Sequence, residues 1–273
     1  MTEAPSYTDI DTLADRLRDV PYESILRTIG RVAERKGIEA YAVGGMVRDV
    51  LLGRSTTDLD FVTVGPETGI ALAEAVGEAL GGRTAHVYPK FGTAAIRIPA
   101  ADALPDDHPD DALVLEFVAA RKESYRSDSR KPEVEAGTLE DDQYRRDFTV
   151  NAMAIHLTPD RFGALLDPFD GRRDLERQTI DTPLDPADTF EDDPLRMIRA
   201  ARFATQLEFR VSDRVFDAME TQAHRVEHLL QDRITLALHQ MLAPDTSTTG
   251  VNILAPSAVL YHGTPEIRQL TGA

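Results

Sequence analysis

The stretch AVGGMVRDVLLGRSTTDLDFVTV, residues 42–64, decides the fold that we predict for this chain. Gly44 and Gly45 stand between an apolar run and a helical pattern, and the pair predicts a strand-to-helix turn. Backbone N–H groups at a helix N-terminus bind phosphate, and glycine removes the side-chain obstacle to its approach. Arg48 follows close enough to reach a bound triphosphate. The same residues also fit a simpler interpretation, a tight turn with Arg48 and Asp49 as surface charges.

Asp58 and Asp60 lie two positions apart in the second apolar run, which predicts a strand. Side chains at this spacing point to the same face of a strand, so the two carboxylates can share a divalent metal ion. Phosphoryl and nucleotidyl transfer need that arrangement. The stretch therefore predicts a metal-dependent nucleotidyltransferase. The alternative is an edge strand with a solvated acidic face.

Glu116 is a third carboxylate of interest, because it is the lone acid in the apolar segment LVLEFVAA. If that segment is a strand beside residues 58–64, three carboxylates converge, and Glu116 becomes a catalytic candidate. The alternative is a structural carboxylate that pairs with an arginine.

Composition limits the class of protein. The chain has 273 residues, of which 42% are hydrophobic, so it can bury a sizeable core. It has no apolar run of the roughly 20 residues that span a membrane, and its start lacks the features of a signal peptide. It has no cysteine, which excludes disulfides and cysteine-ligated zinc. These features predict a cytoplasmic protein without a membrane partner.

The charge balance is acidic, with 30 basic and 47 acidic residues and a net charge of −17. Proteins that bind nucleic acid through electrostatics are usually basic. We therefore expect any contact with RNA to be local.

Hydrophobic periodicity predicts an α/β head followed by helices. The predicted strands cover residues 39–43, 58–64, 84–88, 92–98 and 113–119. The predicted helices cover residues 22–36, 45–52, 66–80, 148–153, 186–207, 212–223 and 232–242. Residues 121–142 are polar and without period, which predicts a mobile loop. We place the boundary at 182–186, which gives an N-terminal extension at 1–36, a head at 37–183 and a helical part at 184–273.

The motif RRDFTVN, residues 145–151, opens a predicted helix. Arg146 can grip a triphosphate, Asp147 can accept a hydrogen bond from a ribose hydroxyl, and Asn151 can do either. A capped helix start with salt-bridged charges is the alternative.

The motif EDDPLRMIRAAR, residues 191–202, predicts another helix start, with Pro194 in the first turn. Asp193 and Arg196 are three residues apart, which predicts a shared helix face. Each further step of three residues drifts by about 60°, so Arg202 is expected to point nearly opposite to Asp193. The alternative is a capped helix with exposed arginines.

Together these motifs resemble the bacterial class II tRNA nucleotidyltransferase/poly(A) polymerase family. The segments that carry the resemblance are GGMVRDVLLGRSTTDLDFV, RRDFTVNAMA, LLDPFDGRRDLERQTI, EDDPLRMIRAARFATQLEF and DRITLALHQML. The resemblance implies a polymerase-β-like α/β head with a mixed five-stranded sheet and an all-helical neck. It also implies further domains that hold RNA, and we expect the chain to stop at the start of that body. Ala237 and Leu238 stand where the family usually has an acidic residue.

The resemblance also implies roles for individual residues. Asp58 and Asp60 would bind two Mg²⁺ ions, with Glu116 as a further catalytic carboxylate. The residues expected to bind the nucleotide are Gly44, Gly45, Arg48, Arg146, Asp147, Asn151, Asp193, Arg196, Arg199 and Arg202. Among these, Asp193 and Arg196 would read the base.

The expected partners are ATP, CTP and the 3′ end of tRNA or another RNA. The expected reaction is in-line attack of the RNA 3′-hydroxyl on the α-phosphate, which adds CMP and AMP to tRNA. Three alternatives remain open at this point: addition of AMP alone, synthesis of poly(A), and a nucleotide-binding module that cannot extend RNA without further domains.

Overall fold

The computed structural model describes residues 12–54, 56–89, 92–104, 111–124, 133–242 and 248–264. Internal contacts divide the chain into two units. The first contains Met1–Tyr144 and Asn151–Pro168, and the second contains Arg145–Val150 and Phe169–Ala273. The boundary predicted at 182–186 therefore lies inside the second unit, and residues 1–11 of the predicted N-terminal extension lie outside the described residues.

A mixed sheet forms the centre of the first unit. The strands of this unit are β1 (Ala40–Val43), β2 (Asp58–Thr63), β3 (His86–Tyr88), β4 (Thr93–Pro99), β5 (Ala112–Ala119), β6 (Arg121–Ser124), β7 (Glu133–Ala136), β8 (Ala154–His156) and β9 (Leu165–Leu166). Across the described part of the sheet, seven strands follow the order β3-β4-β5-β2-β1-β8-β9. The pairing of β2 with β5 is parallel, and the other neighbours are antiparallel.

The alternation of β2 explains why it is a strand. Leu59 and Phe61 are fully buried, and Phe61 stacks on Phe117 of β5 with ring centroids 4.9 Å apart. Asp58 and Asp60 occupy the alternate positions and are more exposed. One face of β2 therefore joins the apolar core, and the other carries the two carboxylates.

Helices complete the first unit. They are α1 (Ala14–Leu17), α2 (Glu23–Lys36), α3 (Gly45–Leu52), α4 (Thr68–Ala79) and α5 (Leu139–Tyr144). α2 packs against α4, and α4 packs against β4 and β5. Gly69 permits this approach, because a Cβ atom there would lie 2.7 Å from the backbone nitrogen of Ala119.

All five strands predicted for the head are present, but the sheet is wider than predicted. β8 and β9 extend it beyond β1. They have three and two residues, which is too short for an alternating pattern to be visible in the sequence.

The loop predicted at 121–142 is wrong where the structure describes it. β6 pairs with β7 in an antiparallel hairpin, and α5 begins at Leu139. The intervening residues 125–132 lie outside the described residues. The hairpin is held by backbone hydrogen bonds, which any side chain permits. Its polar sequence therefore carries no alternating apolar pattern from which strands could be predicted.

The second unit is mainly helical. Its elements are α6 (Gly171–Glu176), β10 (Thr179–Ile180), α7 (Pro186–Asp192), α8 (Leu195–Leu207), β11 (Arg210–Val211), α9 (Asp213–Gln222), α10 (Gln231–Leu242), α11 (Thr248–Leu254) and α12 (Val259–Gly263). α8 is central and packs against α7, α10 and α11. β10 and β11 form a short parallel ladder, a small addition to the helical neck that the sequence predicts.

Two predicted helices differ from the structure. The helix predicted at 148–153 is only a 3₁₀ turn, Thr149–Asn151. The helix predicted at 186–207 is two helices, because Asp193 is extended with φ −147° and ψ 103°. Pro194 explains the break, since a proline disfavours helical backbone at the preceding residue. None of the helices in the described ranges is long and apolar enough to cross a membrane.

Candidate active site

The turn between β1 and α3 has the predicted glycine geometry. Gly44 precedes the helix with φ 74° and ψ −139°, a conformation that other residues rarely adopt. Gly45 begins the helix, and a Cβ atom there would lie 3.4 Å from Nη2 of Arg48. The guanidinium of Arg48 thus folds back over the first turn of α3.

Arg48 is held by two side chains of the first unit. Its Nε and Nη2 donate to Oδ1 and Oδ2 of Asp49 at 2.9 and 3.0 Å. Its Nη1 donates to Oδ1 of Asn151 at 2.7 Å. The structure therefore brings together two predicted nucleotide-binding residues. It also adds Asp49, which is only 8% exposed, so the alternative interpretation of Asp49 as a surface charge does not hold.

The three carboxylates predicted on the sheet lie on neighbouring strands. In the parallel pairing of β2 with β5, Asp60 is opposite Glu116 and Asp58 is opposite Val114. The strand that carries Glu116 therefore lies beside β2, which was the condition for Glu116 to be a candidate, and Asp60 and Glu116 share a face. No group of three or more His, Cys, Asp or Glu residues in the described part of the chain is arranged to hold a metal ion.

Asp58 and Asp60 fit a magnesium ion by their chemistry. Both offer carboxylate oxygens, the ligands that Mg²⁺ prefers, and magnesium is usually bound through one or two carboxylates. Asp58 is exposed and Asp60 is half-buried, so the pair lies at a surface that a substrate can reach.

The Gly44–Gly45 turn and the carboxylates of β2 are adjacent. Asp60 pairs with Val43 in the antiparallel ladder of β1 and β2. Val43 directly precedes Gly44, and α3 packs against both strands. The sheet thus places the start of α3 beside the acidic face of β2.

In the second unit, Asp147 is buried and accepts three hydrogen bonds from the protein. Its Oδ2 accepts from Nε of Arg199 at 2.8 Å and also from Nη2 of the same guanidinium, and its Oδ1 accepts from the backbone N–H of Phe148 at 2.9 Å. The guanidinium of Arg199 also lies over the ring of Phe203, 5.3 Å from its centroid. The structure therefore brings the predicted residues Asp147 and Arg199 together.

Asp193 is a helix cap, which corrects its predicted place within a helix. Its extended backbone ends α7, and its Oδ1 accepts from the N–H of Leu195 at 3.1 Å at the start of α8. Its Oδ2 accepts from Nη2 of Arg233 in α10 at 2.9 Å. Asp193 therefore does not share a helix face with Arg196 in the predicted sense, and Arg233 is a contact that sequence reasoning missed.

Arg196 is positioned by backbone carbonyls. Its Nη2 donates to the carbonyl of Arg145 at 2.8 Å, and its Nη1 donates to that of Thr189 at 3.3 Å. Arg146, the next residue of the RRD motif, is half-buried.

Arg202 donates to Oε1 of Gln240, and its guanidinium lies 4.7 Å from the centroid of the Phe203 ring. Gln240 and Arg233 are seven residues apart on α10, which places them on one face of that helix. The expectation that Arg202 points opposite to Asp193 is therefore wrong, because both side chains reach this face of α10.

Comparison with known proteins shows the family of the chain. Residues 40–181 match the model of the poly A polymerase head domain. The chain belongs to this family. The matched span ends close to residue 183, where the sequence predicts the end of the head.

Relatives of the family include tRNA nucleotidyltransferases. An A-adding tRNA nucleotidyltransferase of Aquifex aeolicus is 42% identical over 175 residues, which cover 64% of this chain and 19% of that protein. A CCA-adding enzyme of Bacillus pumilus is 33% identical over 236 residues, which cover 85% of this chain and 53% of that protein. The chain thus spans from about a fifth to about half of the length of the curated relatives it matches.

Solved structures of the family share the fold. A tRNA nucleotidyltransferase complexed with a primer tRNA and an incoming ATP analogue matches with a TM-score of 0.71 and 32% identity, covering 86% of this chain and 62% of that one. The CCA-adding enzyme of Thermotoga maritima complexed with tRNA matches with a TM-score of 0.75 and 27% identity, covering 93% and 55%. The predicted family and the polymerase-β-like head with a helical neck are both confirmed.

Proposed function

We propose that this chain catalyses template-independent addition of CMP and AMP, from CTP and ATP, to the 3′ end of tRNA. One observation carries the proposal: the Gly44–Gly45 turn lies directly beside the strand that carries Asp58 and Asp60. A phosphate-binding turn next to paired carboxylates is the arrangement that nucleotidyl transfer needs. The tRNA-acting relatives support the choice of RNA substrate.

Asp58 and Asp60 would hold magnesium, two ions by our proposal, which supplies charge neutralisation for the attacking and leaving oxygens. The residues of the chain would contribute by binding the substrates and orienting the reacting groups. The N–H groups at the start of α3 and the guanidinium of Arg48 would bind the triphosphate. Arg146 would add a second positive charge to that task.

Asp193 and Arg196 would read the base, because a carboxylate accepts hydrogen bonds and a guanidinium only donates them. Cytosine and adenine each offer an amine beside a ring-nitrogen acceptor. Uracil and guanine offer a carbonyl beside an N–H, which mispairs with both protein groups. Asp193 keeps capacity for this role despite its two protein contacts, since an ionised carboxylate has about four acceptor positions.

Asp147 is proposed to select the ribose, with Arg199 holding its carboxylate in place. Arg199 donates twice to one oxygen of the buried Asp147, which restrains the orientation of that carboxylate. A ribose hydroxyl would then meet a carboxylate whose orientation is already set.

The test is incubation of the full chain with a tRNA transcript that lacks its terminal CCA, magnesium and each labelled nucleotide singly. We expect labelled CTP to be incorporated on its own and labelled ATP only when unlabelled CTP is added as well, with UTP and GTP rejected. The Asp60→Asn variant is the control for a contaminating activity. Equal use of all four nucleotides, or no incorporation by the folded wild type, would contradict the proposal.

The A-adding relative of Aquifex aeolicus, at 42% identity, favours a second candidate, addition of AMP alone. The same assay separates the two on a tRNA that already ends in CC. A chain that extends only this acceptor, and only with ATP, is the A-adding type.

A further inference from the structure

Arg48 occupies an electrostatically unfavourable place before any ligand binds. Its guanidinium folds over Gly45, the first residue of α3. The N-terminal end of a helix carries partial positive charge, which disfavours a cation there. Something in the fold must therefore hold this side chain where it lies.

Asp49 and Asn151 supply that restraint. Asp49 engages Nε and Nη2 through both carboxylate oxygens, and Asn151 engages Nη1 from the other side of the guanidinium. The Arg48 and Asp49 side chains are only 11% and 12% exposed, and Asn151 is only 6% exposed. Three directed bonds in a buried place fix both the plane and the tilt of the guanidinium.

We propose that Asp49 and Asn151 are positioning residues that hold the Arg48 guanidinium in one orientation before a nucleotide binds. Arg48 then meets the triphosphate without losing side-chain freedom at that moment. The inference rests on the proposed function, because it takes a triphosphate as the ligand of Arg48. It also changes the role of Asn151 from a direct nucleotide contact to a support for Arg48.

The bond polarity makes the role of Asn151 testable. Asn151 accepts from Arg48 through its oxygen, so an aspartate at this position keeps the acceptor that Arg48 needs. A direct contact from Asn151 to a phosphate would instead use its NH₂ group, which aspartate lacks. Asn151→Asp therefore preserves a positioning role and destroys a phosphate-binding role.

The charge of Asp49 gives a second test with a definite sign. If Asp49 merely offsets the charge of Arg48, its neutralisation raises the local positive potential and strengthens triphosphate binding. If Asp49 orients Arg48, Asp49→Asn removes one of the two acceptor oxygens that hold the guanidinium, loosens it and weakens binding. The two roles predict opposite changes in affinity.

The experiment titrates a fluorescent ATP analogue with magnesium into the full chain and its variants. We expect Arg48→Ala, Asp49→Asn and Asn151→Ala to weaken binding on the order of tenfold, and Asn151→Asp to remain within about threefold of wild type. The matched control is Glu23→Gln, which removes the carboxylate partner of Arg27 in α2 of the same unit and leaves affinity unchanged. In incorporation assays, the weakened variants raise the nucleotide KM and keep kcat within about threefold.

Several results overturn the inference: tighter or unchanged binding by Asp49→Asn, Asn151→Asp as weak as Asn151→Ala, or wild-type binding by Arg48→Ala. Circular dichroism melting checks that each variant folds. If Asp49→Asn does not fold, the comparison of Asn151→Ala with Asn151→Asp tests the inference, because both variants leave the hydrogen bonds between Arg48 and Asp49 in place. If the variants show the expected binding pattern but the chain adds no nucleotide to RNA, the proposed function is refuted and the positioning role of Asp49 and Asn151 stands.

Discussion

Arg233 of α10 donates to one oxygen of Asp193 at 2.9 Å, while the other oxygen accepts from the N–H of Leu195 at 3.1 Å. The carboxylate proposed to read the base is thus also the cap of α8. Truncation of Asp193 to alanine would therefore change helix stability and base choice together, so a second variant is needed to separate the two effects.

Asp193→Asn separates them, because an asparagine oxygen caps a helix nearly as well as a carboxylate. We expect this variant to keep its free energy of unfolding within about 0.5 kcal/mol of wild type and to lose discrimination against UTP and GTP. Asp193→Ala should lose the same discrimination and about 1 kcal/mol of stability. Urea unfolding and single-nucleotide incorporation measure the two effects. An Asp193→Asn variant that discriminates as well as wild type contradicts base reading by this residue.

Asp60→Asn is expected to remove catalysis while the fold remains, because it takes one of two carboxylates from the same face of β2. We expect a loss of at least about a thousandfold in kcat, ~4 kcal/mol in the barrier. The measurement is incorporation of labelled CTP over a range of magnesium concentrations. A variant that keeps more than about a tenth of wild-type turnover would mean that Asp60 is not a metal ligand.

Glu116→Gln tests the pairing of like charges across β2 and β5. Asp60 and Glu116 lie opposite each other, and like charges in this position are destabilising. Without magnesium, the variant should unfold at higher urea concentration than wild type, by about 0.5 kcal/mol. Added magnesium should stabilise wild type more than the variant. Identical unfolding curves in both conditions would show that the two charges do not interact.

Tyr22→Phe is expected to stabilise the first unit. The Tyr22 side chain is 1% exposed, and its hydroxyl has no hydrogen-bond partner among the residues that the structure describes. Burial, followed by the negative charge of Asp49, raises the pKa of this hydroxyl well above its usual range. Since an unsatisfied buried hydroxyl costs about 1–3 kcal/mol, its removal should raise the free energy of unfolding by a similar amount. Tyr88→Phe, at a residue that is 53% exposed, is the control and should change nothing.

His156 should make the first unit less stable in mild acid. Burial is the main cause that lowers the pKa of His156, and the nearby charge of Arg161 lowers it further. The unfolded chain therefore binds a proton at higher pH than the folded chain, so stability falls as the pH drops below about 6.5 towards the lowered pKa. Urea unfolding at pH 7.5 and 5.5 measures the change, which should shrink in His156→Gln. His86→Gln, at an exposed residue, is the control.

The sequence predicts best those elements whose pattern is local. The helix predicted at 45–52 is observed as Gly45–Leu52, and the alternation in β2 places Asp58 and Asp60 on one face as expected. β8 and β9 are too short to carry a period, and the break before α8 depends on Pro194 within an otherwise continuous helical pattern.

The contacts of the site that the sequence did not predict join residues that are distant along the chain. Arg233 lies 40 positions after Asp193, and Asn151 lies 103 positions after Arg48. Asp49 lies next to Arg48, but consecutive residues of a helix do not normally face each other. Its contact arises only because the guanidinium folds back over Gly45, where no side chain obstructs it.

The segment Arg145–Val150 belongs to the second unit although first-unit residues precede and follow it. Phe148 in this segment is fully buried, and its ring lies 5.8 Å from that of Phe203 in α8. No single cut in the chain can therefore yield two pieces that each contain one complete unit. The span that matches the family model, residues 40–181, includes Asp147 and Phe148 but lacks Arg199 and Phe203. Excised alone, this span would expose the ring of Phe148 and leave the carboxylate of Asp147 without Arg199, so we expect it to be less stable than the same residues within the full chain.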